Sequence, residues 1–188
     1  MKEAFRALLC NPSAEFRSKQ EEALAAIASR QMRVLVVMAT AAGKSMLFML
    51  LAAISPGGVT VVIAPLNSLR DNLIERCIEM GICCCNWEGT RPAYGVSIVL
   101  VTPKGAVLPL FGCFVDEMRT LRCLNCIVIN KCHVLIESTE KWRLDMLRLI
   151  EITQKGTQVV YLIAMLPLVE QAFFLRLARL NKRCLTIY

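Results

Sequence analysis

The triplet Gly43-Lys44-Ser45 offers three groups that together can bind a polyphosphate. A glycine lets backbone N–H groups approach an anion, a lysine ammonium can reach β- and γ-phosphates, and a serine hydroxyl can ligate Mg²⁺. The full pattern G-x-x-x-x-G-K-S/T would require glycine at Met38, where it is absent. The loop alone is therefore compatible with two interpretations, a nucleotide site and an ordinary turn of small residues.

The loop lies between a predicted strand and a predicted helix. The run that begins at Val34 is apolar and rich in β-branched residues, which is typical of a buried strand. Residues 46–54 are apolar and compatible with a helix. A strand, a loop and a helix in this order is the context in which a phosphate-binding loop works, because the strand aims the loop and the start of the helix faces the anion.

Further strands and helices alternate along the chain. Apolar runs predict strands at residues 59–64, 96–101, 125–130 and 158–164, the last of these being the final strand, with another apolar segment at 82–85. Helical spacing is found at residues 24–27, 69–80, 142–151 and in the second half of 106–121, and Ser13 is the predicted N-cap of the first helix. The alternation predicts an α/β fold with a doubly wound, mainly parallel sheet in a single domain over residues 1–188.

Composition agrees with this fold class and suggests a charged partner. The chain has 188 residues, of which 56% are hydrophobic and only 6% aromatic, so the core is built from aliphatic side chains. The net charge of +7 favours a polyanionic partner such as a nucleic acid. The arginines Arg70, Arg76, Arg119 and Arg122 are scattered and are interpreted as solvated, except for Arg70, which is a candidate phosphate ligand.

Cysteine usage and hydropathy bear on the compartment. Ten cysteines include the run Cys83-Cys84-Cys85, a poor framework for disulfides, and the first residues are too charged for a signal peptide. We therefore expect an intracellular protein that is not secreted. No apolar run reaches the length of about 18 residues that a membrane-spanning helix needs, so no membrane association is expected.

A zinc site is the third kind of function that the residues suggest. Cys123 and Cys126 have zinc-ligand spacing and are followed by Cys132 and His133. The pair stands at the entry of a predicted buried strand, where alternation directs the two sulfurs to different faces. We therefore interpret these cysteines as small buried hydrophobic residues, and no zinc is expected. Without further information His133 is a capping or core residue.

Seven short segments carry a family resemblance: Phe16-Arg-Ser-Lys-Gln20, Met38 to Ser45, Ala64-Pro-Leu-Asn-Ser-Leu-Arg-Asp71, Val101-Thr-Pro-Lys104, Ile129-Asn-Lys-Cys-His133, Lys141-Trp-Arg143 and Leu162 to Pro167. Together they resemble the first motor domain of superfamily 2 helicases of the DEAD/DEAH-box type, specifically the RecQ family and its telomere-linked fungal members. The resemblance implies a RecA-like P-loop NTPase domain, ATP and Mg²⁺ as cofactors, DNA as a single strand or fork, a nuclear location, and a second RecA-like domain as partner.

The same resemblance implies roles for individual residues. It places the adenine contact at Gln20 and the remaining nucleotide contacts at Thr40, Ala41, Ala42, Gly43, Lys44 and Ser45. It places Mg²⁺ at Ser45 and Asn130, and catalysis at Lys44, Asn130, Lys131 and His133. The implied nucleic-acid contacts are Pro65, Ser68, Arg70, Thr102, Pro103, Trp142 and Arg143.

Several positions depart from the family pattern. Asn130 and Lys131 stand where the family carries Asp and Glu, and Ala41 stands where it carries glycine. An amide is a weak ligand for Mg²⁺, and loss of a positioned base typically costs about 10²–10⁴ in rate. Ile163 and Met165 replace two threonines that link ATP to DNA in the family. We expect Mg²⁺ binding to be weak and hydrolysis to be impaired.

Two functions remain open at this point. One is the ATP-binding motor domain of an ATP-dependent 3'-5' DNA helicase, with the second motor domain and a zinc-binding region absent from the chain. The other is a catalytically dead, degenerate fragment that acts, if at all, as a nucleotide- or DNA-binding module. Asn130 and Lys131 favour the second function for activity, while the motifs favour the first for ancestry.

Overall fold

The structure is a computed structural model that describes residues 1–17, 19–130, 148–149, 156–178, 180 and 185–187. The strands in chain order are β1 (Arg33–Val37), β2 (Val59–Ile63), β3 (Cys84–Asn86), β4 (Ile98–Val101), β5 (Leu124–Asn130), β6 (Val159–Ile163) and β7 (Leu185–Ile187). The helices are α1 (Lys2–Leu8), α2 (Gln20–Ala28), α3 (Lys44–Ala53), α4 (Asn67–Glu79), α5 (Pro103–Ala106), α6 (Pro109–Thr120) and α7 (Leu168–Leu177).

The described strands form one parallel sheet in the order β3-β4-β2-β5-β6-β1-β7. Parallel strands end at a common edge, so the loops that follow them meet there. At this edge Ile63 of β2 is in register with Val101 of β4 and Ile129 of β5, and Val37 of β1 is in register with Ile163 of β6. The loops after β2 and β4 are therefore neighbours, and β6 alone separates the ends of β1 and β5.

Helices cover both faces of the sheet. Val34 and Val36 of β1 pack with α1 to α4 on one face, whereas Leu35 between them packs on the other face with α5, α6 and α7. Because alternate side chains of a strand point to opposite faces, a strand buried on both sides must be apolar throughout. This confirms the predicted α/β fold with a doubly wound parallel sheet.

Four details differ from the expectations drawn from the sequence. The prediction of Ser13 as N-cap was wrong, because α2 begins at Gln20 with Lys19 in the cap position, and the Ser13 N–H donates to the Asn11 side chain 2.9 Å away. Helix α6 begins earlier than expected, with Pro109 in its first turn. Strand β6 is not the last strand, since α7 and β7 follow it, and α1 was not foreseen.

Part of one predicted element cannot be compared with the structure. The helix expected at 142–151 lies outside the described residues apart from Arg148 and Leu149. In the part of the chain that the structure describes, no helix combines the length and apolar character needed to cross a membrane.

Candidate functional site

A cavity of about 850 Å³ lies at the carboxyl edge of the sheet. The loop after β1, the ends of β5 and β6, and the sides of α2, α3 and α4 contribute to its wall. The cavity therefore brings together Gln20, Gly43, Lys44, Ser45 and Asn130, which are far apart in the sequence. These are the residues for which nucleotide and metal contacts were expected.

The loop after β1 has a backbone suited to an anion. Ala41 has a φ of +63° and Gly43 a φ of +78°, so left-handed residues flank Ala42 on both sides. Alternation of this kind turns successive N–H groups toward one side and forms a concave anion-binding nest. Helix α3 begins directly after Gly43, and the first N–H groups of a helix have no acceptor within it. In this structure the Ala42 N–H donates to the Ala39 oxygen at 3.2 Å and the Met46 N–H to the Gly43 oxygen at 3.0 Å, while Gly43, Lys44 and Ser45 line the cavity.

The backbone at position 43 favours glycine, because its positive φ is strained for a residue with a Cβ atom. A Cβ built there would also meet Gln20 Nε2, so the Gln20 side chain would have to move. Ala41 carries the same backbone strain, which costs on the order of 1–2 kcal/mol for an L-residue. The family glycine expected at position 41 is therefore missing where the backbone needs it.

Gln20 braces the loop against the start of α2. Its side chain is only 3% exposed, and Nε2 donates to the backbone oxygens of Ala42 and Gly43 at 3.2 Å each. Its Oε1 accepts a hydrogen bond from the Arg17 N–H at 2.8 Å. Both ends of the amide thus hold protein backbone in this structure, and the adenine contact stays a prediction.

Lys44 lies folded over its own loop. Its Nζ donates to the backbone oxygens of Met38 at 2.7 Å and Ala39 at 2.8 Å. Lys44 is also one of the residues that line the cavity.

Ser45 has a partner that the sequence did not suggest. Its Oγ accepts a hydrogen bond from Nη1 of Arg76, a half-buried residue in the last turn of α4. The interpretation of Arg76 and Arg119 as solvated was wrong, because Arg119 is also half-buried and donates to Thr157 Oγ1 at 2.7 Å. Helical spacing places Arg76 on α4 but contains no information about which neighbouring element it meets.

The residues described around the cavity do not fit Mg²⁺. Asn130, at the end of β5 and 9% exposed, offers a neutral amide, and the Ser45 hydroxyl already lies against a guanidinium. Mg²⁺ prefers carboxylate oxygens, and a neighbouring cation repels it. Lys131 and His133, for which catalytic roles were expected, lie outside the described residues.

The charge around the cavity is predominantly positive. Of its described lining residues three are basic and Glu15 alone is acidic. The Glu15 carboxylate pairs with Lys2 and Arg6, and its hydrogen bond with Lys2, together with the Arg6 contacts, lowers its pKa. Because Glu15 is already paired, the cavity favours an anionic ligand.

Arg70, a predicted phosphate ligand, lies near the start of α4. Its guanidinium donates to Asn67 Oδ1 at 2.8 Å and to Asn86 Oδ1 at 3.3 Å. Asn86 ends β3, so these bonds link α4 to the sheet edge and fix the direction of the arginine. Asn86 was not predicted, because nothing in the residues of a short strand end indicates a partnership with an arginine 16 positions earlier.

The other predicted nucleic-acid residues flank Arg70 at the same edge. Pro65 is half-buried and Ser68 is exposed in the segment after β2. Thr102 caps α5, since its Oγ1 accepts from the Gly105 N–H at 3.0 Å, whereas Pro103 is buried. Because β2 and β4 are adjacent, the segments that follow them lie side by side at this edge. Trp142 and Arg143 lie outside the described residues.

The cysteine pair considered for zinc is divided between two environments. Cys126 is buried in β5, and burial raises the pKa of its thiol to about 12, whereas zinc binds the thiolate. The Cys123 thiol donates to the Leu121 oxygen at 3.4 Å. Cys132 and His133 lie outside the described residues, among which no group of three metal-binding side chains is found.

Residues 17–173 match the family model described as DEAD/DEAH box helicase. The chain belongs to the DEAD/DEAH box helicase family. The matched segment includes the loop at 38–45 and Asn130, which contribute to the wall of the cavity. This match confirms the predicted resemblance to helicases of the DEAD/DEAH-box type.

Three solved structures illustrate the likeness of fold. The DUF1998 helicase MrfA bound to DNA and AMPPNP has a TM-score of 0.68, 18% identity and coverage of 99% of this chain and 29% of that one. S. cerevisiae Dbp5 bound to RNA and ADP BeF3 has a TM-score of 0.71, 15% identity and coverage of 99% and 49%. A hypothetical ATP-dependent RNA helicase from Sulfolobus tokodaii has a TM-score of 0.67, 16% identity and coverage of 100% and 57%. This chain thus spans about a third to somewhat over half of their length.

Proposed function

We propose that this chain is the ATP-binding motor domain of a RecQ-like, ATP-dependent 3'-5' DNA helicase, and that it binds nucleotide in the cavity but hydrolyses it poorly. The observation that carries the proposal is the loop before α3, where positive φ values at Ala41 and Gly43 form a nest beside Lys44. In its family such a loop binds the phosphates of ATP. The cavity volume of about 850 Å³ lies within the range usual for ligand sites.

Impaired hydrolysis follows from the side chains at the end of β5. Asn130 offers no carboxylate for a metal, and in the sequence it is followed by Lys131, which cannot act as a base for the attacking water. With ATP bound, Lys44 would contact the β- and γ-phosphates, and His133 would bridge the ATP site and the strand predicted at 158–164. None of these residues supplies the missing general base.

DNA, as a single strand or fork, is the proposed nucleic acid. The support is the position of Ser68, Arg70 and Thr102 at the same edge of the sheet, together with the net charge of +7. Contacts of this kind go to the phosphate backbone and give affinity without sequence preference. A nuclear location and a second RecA-like domain that closes the cavity are parts of the same proposal, and the RecQ-like motifs support them.

A second candidate function is a non-catalytic module. Asn130 in the place of a carboxylate favours it, because a domain that cannot hold Mg²⁺ in the usual way can still bind nucleotide or DNA without turnover. The two functions differ in one measurable respect. Restoring both acids, Asn130→Asp with Lys131→Glu, in a fusion to a family second motor domain should give DNA-stimulated ATPase activity if only these two residues prevent hydrolysis. Persistent inactivity of the folded fusion would favour the degenerate module.

The direct test of the proposal is binding of a fluorescent ATP analogue to the purified chain and to Lys44→Ala. Loss of one charged hydrogen bond should weaken binding roughly 10- to 100-fold. Lys104→Ala is the matched control, because it removes the same charge from an exposed position on α5. Equal affinity of Lys44→Ala and the unaltered chain, or no binding to the folded chain, would contradict the proposal.

A further inference from the structure

Arg76 is a basic residue of the cavity to which the family resemblance assigns no role. It lies in the last turn of α4, at a helix end where a positive side chain is favoured by the backbone dipole. Its side chain crosses to α3 and donates to Ser45 Oγ at the base of the phosphate loop. Lys44 and Asn130 line the same cavity. A guanidinium thus stands beside the hydroxyl that was expected to hold a metal.

The charge of Arg76 lacks an acidic partner in the described structure. Among the described residues Arg76 takes part in no ion pair, and the acidic side chain at the cavity, Glu15, pairs with Lys2 and Arg6 instead. Arg76 is half-buried, so water screens its charge less than it would at an exposed position. A neutral hydroxyl does not compensate that charge, whereas an anion bound in the cavity would compensate it.

Arg76 and Mg²⁺ would compete for the same place. The guanidinium already donates to Ser45 Oγ, and no described carboxylate is available to attract a divalent cation there. A guanidinium carries several donors in a planar fork that matches two phosphate oxygens at once. It can therefore neutralise a polyphosphate without the octahedral oxygen shell that Mg²⁺ requires.

We propose that Arg76 binds the phosphates of the nucleotide in the place of Mg²⁺, so that this chain takes up metal-free nucleoside triphosphate. The inference rests on the proposed function of the cavity. Free ATP carries two more negative charges than its Mg²⁺ complex, and a cavity that supplies its own cations favours the more negative form. Mg²⁺ should consequently weaken nucleotide binding or leave it unchanged. A site built around the metal would instead require Mg²⁺ for nucleotide binding.

The experiment compares ATP binding in EDTA and in Mg²⁺ by isothermal titration calorimetry. The unaltered chain should bind ATP in EDTA at least as tightly as in Mg²⁺. Arg76→Gln should lose about tenfold or more in EDTA, since it removes a charged hydrogen-bond donor while keeping a polar side chain of similar length. The matched control is Arg176→Gln, which removes an equal charge from the exposed side of α7 and should bind as the unaltered chain does.

A purely structural role for Arg76 predicts a different pattern. If the only function of Arg76 were to tie α4 to Ser45, Arg76→Gln would lower the melting temperature of the nucleotide-free chain, but ATP in EDTA would still raise it. The proposal predicts that ATP in EDTA no longer raises the melting temperature of Arg76→Gln. If Arg76→Gln is too unstable to assay, Arg76→Lys decides the matter, because it retains the charge without the planar fork and should bind in EDTA more weakly than the unaltered chain.

Failure of the inference and failure of the proposed function give distinct results. Binding that disappears in Lys44→Ala but requires Mg²⁺, or that persists in EDTA when Arg76 is replaced, would overturn the role of Arg76 and leave the nucleotide site intact. No ATP binding by the folded, unaltered chain in either buffer would overturn both.

Discussion

Replacing Ala41 by glycine should stabilise the protein. The residue has a φ of +63°, which costs an L-residue about 1–2 kcal/mol, and its methyl group is exposed, so little packing is lost with it. Glycine is also more flexible in the unfolded chain, which offsets about 0.4–1 kcal/mol of the gain. The difference leaves a net stabilisation between about 0 and 1.6 kcal/mol, centred on ~0.8 kcal/mol, which corresponds to roughly 2–3 °C in melting temperature for a chain of this size.

The neighbouring Ala42 provides a matched control for this experiment. It is not among the residues with positive φ, and its half-buried methyl packs against the core that contains Leu47. Ala42→Gly should therefore lower the melting temperature, through both the added flexibility of the unfolded chain and the lost packing. Urea unfolding followed by circular dichroism would measure both variants. An Ala41→Gly variant as unstable as Ala42→Gly would refute the left-handed backbone at position 41.

Two further predictions concern the loop and the buried thiols. Gly43→Ala should destabilise the fold by about 1–2 kcal/mol or more, because its φ is +78° and the new Cβ would meet Gln20 Nε2. The loss should be smaller in a Gln20→Ala background, where that contact is removed. Equal losses in both backgrounds in urea titrations would argue against the contact. Burial raises the pKa of Cys77 and of Cys126 to about 12, so both thiols stay protonated at pH 8 and should resist iodoacetamide in the folded chain. Peptide mass spectrometry should find alkylation first at the exposed cysteines Cys10, Cys83 and Cys113, and early labelling of either buried thiol would contradict the fold.

The strands of the central sheet could be predicted from sequence because they are buried on both faces. A strand such as β2 must be apolar at every position, and a run of this kind between turn residues has few other interpretations. Helix ends were less predictable. Ser13 is a good N-cap by residue type, yet α2 begins seven positions later with no side-chain cap, because packing of Gln20 under the loop sets the start of the helix.

The candidate site was predicted in its residues but not in its contacts. Lys44 and Ser45 follow from a local motif, and the positive φ found at Ala41 agrees with the glycine that the family carries there. The hydrogen bond from Arg76 to Ser45 joins two helices that are separated by a strand in the sequence, so only their packing brings the two side chains together. The bond from Arg70 to Asn86 likewise depends on how α4 packs against β3, which local sequence patterns do not specify.

The most direct test of the central claim is to locate bound nucleotide by hydrogen–deuterium exchange. The chain has a second cavity of about 690 Å³ at the opposite edge of the sheet, lined by residues such as Gly58, Ser97 and Phe114, so an alternative location exists. If nucleotide binds in the cavity beside Lys44, ATP should slow exchange in peptides covering residues 17–20 and 38–46, and exchange in peptides covering 91–97 should be unchanged. Protection confined to residues 91–97, or no protection at 38–46 with ATP bound, would contradict binding in that cavity.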